Sequence, residues 1–118
     1  MSEASTVPAL SADQVDWLMA TANCLLTQKY PERALILLEF LLCCEPVHQQ
    51  ARIMAGYCCH LLGRNEEALD SFRMLEPAFR GASPIGLLLN AKALAALGRE
   101  DEALDAFNEF RKTPYGAL

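Results

Sequence analysis

An all-α fold of three stacked helix hairpins is predicted for this chain by three observations. A short phrase recurs at near-constant spacing, as Glu32-Arg33-Ala34-Leu35, Glu66-Glu67-Ala68-Leu69 and Asp101-Glu102-Ala103-Leu104, its alanines 34 and then 35 residues apart. A large apolar residue follows each alanine at the fourth position: Leu38, Phe72 and Phe107. Helical periodicity is continuous, and strand-like alternation is absent. A repeat of this length is the arithmetic of a two-helix unit, and three units are roughly the minimum that bury a continuous core.

Residues 1–11 read as a flexible lead and 12–115 as the repeat domain. Ser11 and Gln14 form a capping box that opens a helix over 12–28. Pro31 suits the first position of a second helix over 31–44, which Glu45-Pro46 ends. The second hairpin covers 47–62 and 65–75, with Gly63 as the terminating glycine of its first helix. Pro77 to Ser83 is the widest break, and it accounts for the extra residue in the third interval. Ser83-Pro84 then caps a helix over 84–97 closed by Gly98, and a sixth helix covers 100–111. Repeat arrays usually end on a polar capping helix, and residues 112–118 are too short to form one, which leaves Phe110 partly exposed or covered by a partner.

Composition narrows the function. A chain that is 53% hydrophobic has too much apolar surface to be disordered. The net charge of −5 comes without a Lys/Arg cluster, so no nucleic-acid partner is expected. The first ten residues lack the pattern of a secretory signal. The longest apolar stretch, 34–44, is interrupted by Glu39 and is too short to cross a bilayer, so no membrane insertion is expected. Five cysteines, two vicinal pairs and one alone, do not make a disulfide framework and point to a reducing cytosol.

Chemistry-bearing residues have structural readings. Cys43-Cys44 and Cys58-Cys59-His60 resemble metal ligands, but adjacent helical residues point about 100° apart and no Cys-x-x-Cys occurs. They read as small, buried, reduced side chains, and no metal or cofactor is expected. Neither His48 nor His60 has a nucleophilic or acidic partner at a catalytic spacing, so an enzyme is not expected. Acidic pairs such as Glu66-Glu67 open helices, where they complement the helix dipole.

Leu62-Gly63 and Leu97-Gly98 sit five residues before the repeat alanines, Gly56 sits twelve before Ala68, and Pro46 twelve after Ala34. Together with the Ala-x-x-x-Phe steps, these residues resemble the tetratricopeptide repeat over about 12–115. The first repeat departs most, with Lys29 for the glycine and Leu38 for the aromatic. The resemblance implies a right-handed superhelix whose hairpins cross closely at Ala22, Gly56 and Ala91 and at Ala34, Ala68 and Ala103. It also implies that the first helix of each hairpin lines a concave groove. Carried over, the groove residues are Met19, Asn23, Leu26, Ile53, Tyr57, Leu61, Leu88 and Lys92, with Thr27 and Ile85 also facing inward. Asn23 and Lys92 fit the carboxylate clamp of some such proteins, but Met19, Tyr57 and Leu88 do not. The mostly apolar groove suits an extended or helical peptide with hydrophobic anchors.

The second helix carries another anomaly. Its outward residues Ile36, Leu37 and Phe40 correspond to Asp70, Ser71 and Met74 in the second repeat and to largely polar residues in the third. A helix that is apolar nearly all round must be covered, so a second interface follows, for a partner or a self-dimer, unless Val7, Ala9 and Leu10 fold back over it.

Length, acidity and the run Pro31-Glu32-Arg33-Ala34-Leu35-Ile36-Leu37-Leu38-Glu39 resemble the small tetratricopeptide chaperones of bacterial type III secretion, the YscY-type export chaperones in particular. That resemblance implies a bacterial cytoplasmic protein in a tight hetero-complex with a small secreted substrate kept soluble and export-competent, and docking of that complex to the export gate. The alternatives are a needle-subunit chaperone of the same system and a generic tetratricopeptide scaffold or co-chaperone.

Overall fold

In a computed structural model, residues 9–115 are described, and they form seven α-helices and no strand. These are α1 (Ala12–Thr27), α2 (Pro31–Cys44), α3 (Gln49–Leu61), α4 (Asn65–Arg73), α5 (Pro77–Ala82), α6 (Pro84–Ala96) and α7 (Glu100–Arg111). The pairs α1–α2, α3–α4 and α6–α7 pack as hairpins, and α2–α3 and α4–α6 pack between hairpins. The radius of gyration is 15.2 Å. A compact globule of this length would have about 13 Å, so the hairpins are stacked along one direction rather than rounded into a ball.

Local chemistry dictates the hairpin geometry. Ser11 and Gln14 make the reciprocal capping box, at 3.1 and 2.8 Å. All three hairpins then turn in the same way. The amide of Tyr30 donates to the carbonyl of Leu25, Arg64 to Cys59, and Arg99 to Leu94. Each is the long bond of a Schellman turn, which needs a left-handed residue just before the donor. Gly63 and Gly98 supply it at φ of 78° and 76°. Lys29 supplies it at 68°, at a cost of about 1–2 kcal/mol for a residue with a Cβ.

Small residues set how closely the helices approach. Ala22, Ala34, Gly56, Ala68, Ala91 and Ala103 are all buried. A Cβ on Gly56 would stand 2.9 Å from Leu89 Cδ2 and 3.0 Å from Ser71 Cβ. Leu89 of α6 therefore inserts over Gly56, between α3 and α4. Leu38, Leu41 and Leu69 fill the grooves beside these crossings and are fully enclosed.

The structure differs from the sequence expectation in its helix count, at Ile53 and at two of the cysteines. Seven helices replace six, because the break after the second hairpin holds the short helix α5. Pro77 disfavours helical backbone at Glu76, so α4 stops at Arg73; Pro77 then starts a new turn from its fixed φ. Phe79 anchors that turn in a second core cluster with Ile53, Phe72, Leu75 and Leu87. Ile53, expected in the groove, is a core residue there. Cys24 and Cys43 are exposed rather than buried. Phe107 is half-exposed although its counterparts Leu38 and Phe72 are buried, because among the described residues no hairpin packs on α7 as α3 packs on α2 and α6 on α4.

Candidate functional site

α1, α3 and α6, the first helices of the three hairpins, each turn one side toward a common cleft of about 510 Å³. α1 contributes Asn23, Leu26 and Thr27, α3 contributes Met54 and Tyr57, and α6 contributes Ile85, Leu88, Leu89 and Lys92. Five of the eight expected groove residues therefore meet: Asn23, Leu26, Tyr57, Leu88 and Lys92. Met19 lies partly buried against the main core, Ile53 lies in the second core cluster, and Leu61 is exposed near the end of α3 away from the cleft. Met54 and Leu89 are lining residues that the family pattern did not suggest. Their signal was spacing, since Met54 precedes Tyr57 by three and Leu89 precedes Lys92 by three, one helical turn in each case.

The cleft can bind but has little to react with. None of its lining residues is His, Cys, Asp or Glu, and Lys92 is the one that carries charge. The Thr27 hydroxyl donates to the Asn23 carbonyl at 2.9 Å, so it is satisfied within its own helix. What remains is an aliphatic wall with one aromatic ring and one cation at its edge, which are the features that accept apolar anchors of a peptide.

The buried thiols and the two histidines have structural roles. Burial pushes the Cys58 thiol up to about 11, and Cys59 beside it adds to the shift. Burial also raises Cys59. Both are thiols at neutral pH and poor nucleophiles. His48 caps α3, its Nδ1 accepting from the amide of Ala51 at 3.1 Å. His60 Nδ1 and Asn65 Oδ1, 2.6 Å apart, tie the end of α3 to the start of α4. Among the described residues no group of three or more His, Cys, Asp or Glu is placed to hold a metal ion.

The second expected interface divides. Ile36 and Phe40 are exposed on α2, while Leu37 is half-buried and packs against the core. Phe40 lines a second cleft of about 510 Å³ with Ala9, Leu10, Trp17 and Leu18. Leu10 packs on the core, so part of the lead does lie on this side; Val7 lies outside the described residues. Trp17 was not anticipated as part of this face. Its aromatic ring on the outer side of the first helix was the available signal.

The sequence profile of the tetratricopeptide repeat family matches residues 32–84. No curated protein matches the chain. Among the described residues no helix is long and apolar enough to cross a membrane. The matched segment runs from α2 into the start of α6, and the hairpins on either side of it repeat its Schellman turns and its small-residue crossings. The fold is thus an all-α superhelix of tetratricopeptide-like hairpins, an architecture that serves as a scaffold for protein–protein interaction.

Proposed function

We propose that this protein is a cytoplasmic chaperone of bacterial type III secretion that holds a small secreted partner through the cleft between α1, α3 and α6. The observation that carries the reading is the convergence of Leu26, Met54, Tyr57, Leu88 and Leu89 on one open, mostly apolar cleft. Leu89 already packs over Gly56, but Leu26, Met54, Tyr57 and Leu88 keep apolar surface in water, which forgoes about 25 cal/mol per Å². A partner segment with spaced apolar residues recovers that energy, and Asn23, Tyr57 and Lys92 fix its register by hydrogen bonds at the rim. The secretion-system assignment rests on the resemblance of the 31–39 run and on length and acidity. Docking of the complex to the export gate is part of the same reading. Ile36 and Phe40 form a second contact, to the same partner or to another copy of the chain.

Co-expression tests this. The partner alone should be degraded or aggregated, and the chain should restore it as a soluble complex. Tyr57→Ala and Leu88→Ala should each weaken that complex by about 1–3 kcal/mol, with helical content unchanged. A partner that is soluble and stable by itself would make the protein a scaffold rather than a chaperone. Full affinity in both folded variants would remove the cleft from the interaction.

A further inference from the structure

The three repeats provide an internal comparison of what should cover each face. Leu35, Leu69 and Leu104 occupy one repeat position, and their exposures are 4%, 0% and 60%. Leu38, Phe72 and Phe107 occupy another, at 0%, 7% and 43%. In the first two repeats the following hairpin covers both positions, through α3 on α2 and α6 on α4. On α6 and α7 none of the described residues covers the same surface, and it forms a cleft of about 390 Å³ lined by Leu88, Ala91, Ala103, Leu104 and Phe107 among others.

The chain also shows what fits such a surface. Leu89 fills the internal site over Gly56, and Ala91 is the residue equivalent to Gly56 at the bare end. α3 carries Ala51, Met54 and Cys58 at the positions that Gly86, Leu89 and Ala93 hold in α6. The rule is a small residue, a large apolar one three positions on, and a second small one four beyond that. α1 breaks this rule: its equivalents are Trp17, Ala20 and Cys24. Trp17 stands where the other two repeats hold Ala and Gly, and Ala20 lacks the inserting side chain. α1 of a second copy is therefore a poorer match to the bare face than a helix with the α3 or α6 pattern, which opposes open-ended polymerisation.

Charge sets the direction. α2 and α3 are joined by a short link and run antiparallel, so an occupant of the bare face would run antiparallel to α7. Its last turn would meet Glu100 and Asp101, and its first turn would meet Arg111 and Lys112. Basic residues at the end of the occupant and acidic ones at its start satisfy both these charges and its own dipole.

We propose that the face formed by α6 and α7 docks an amphipathic helix of a partner protein, antiparallel to α7, with the small–large–small spacing above and basic residues in its last turn. This face is distinct from the concave cleft, although Leu88 and Lys92 border both.

The probe is a labelled peptide copying residues 83–99, helix-stapled on its solvent side, made soluble by Leu87→Gln and Leu88→Lys, and given basic residues in its last turn, where α6 itself has none, by Ala95→Lys and Ala96→Lys. It is titrated into the full chain by fluorescence anisotropy. Saturable one-to-one binding is expected, weakened at least about tenfold by Leu104→Asp or Phe107→Asp in the chain and by Gly86→Trp in the peptide. Tyr57→Ala should leave it unchanged, which separates this face from the cleft. Glu100→Gln with Asp101→Asn keeps the apolar surface whole and should still weaken binding at low salt. Absence of saturable binding, or binding indifferent to Leu104 and Phe107 in folded variants, would overturn the proposal. So would self-association of the chain that Leu104→Asp abolishes, since a second copy would then be the occupant.

Discussion

Leu69→Ala should lower the free energy of unfolding by about 2–5 kcal/mol, while Leu104→Ala should cost less than about 1 kcal/mol. The two leucines hold the same repeat position and precede the same Asp. Leu69 is fully enclosed between hairpins, so truncation removes its transfer energy and leaves a cavity that rigid neighbouring helices cannot close. Leu104 is exposed on the last helix, so little burial is lost. Urea unfolding of both variants, followed by circular dichroism, measures the difference directly. Equal costs would mean that the end of the array is covered in solution by something the isolated chain supplies itself.

Gly56→Ala should destabilise by about 1–3 kcal/mol, although alanine is the better helix former. A methyl group there would meet Leu89 Cδ2 at 2.9 Å and Ser71 Cβ at 3.0 Å. Leu89 can rotate away, but Ser71 Cβ is fixed to the backbone of α4, so the α3–α4 crossing must open. The first and third repeats hold Ala at this position; they tolerate it because their neighbours are spaced for a methyl group. Thermal unfolding of Gly56→Ala measures the cost. A variant as stable as the parent would show that the α3–α4 approach is looser than the contact distances imply.

Both predictions depend on features that differed in how readily the sequence revealed them. The hairpin crossings were legible because a close helix approach admits few residue types, and Ala or Gly recurs at two fixed positions in every repeat. The turns were legible for the same reason at Gly63 and Gly98. Helix α5 was not, because six residues give less than two turns of periodicity, and the two prolines flanking it usually mark a break. What holds α5 is Phe79 reaching Ile53 and Phe72, a contact that pattern cannot show. The same contact drew Ile53 out of the expected groove. Groove residues were legible only where neighbouring helices leave them alone. Asn23, Leu26, Tyr57, Leu88 and Lys92 meet at the cleft, whereas Met19 and Ile53 are taken up by packing. On α2 the apolar excess was visible, but only packing separates Leu37, which touches the core, from Ile36 and Phe40, which do not.

A partner segment held in the cleft between α1, α3 and α6 would lie within reach of Tyr57 and Leu88. Site-specific photocrosslinking in cells that make the partner tests this placement most directly. Tyr57 and Leu88 would each be replaced by benzoylphenylalanine, with Asp70 on the exposed outer side of α4 as control. A single partner adduct is expected from positions 57 and 88 and none from 70. Adducts from position 70 with none from 57 or 88 would contradict this placement.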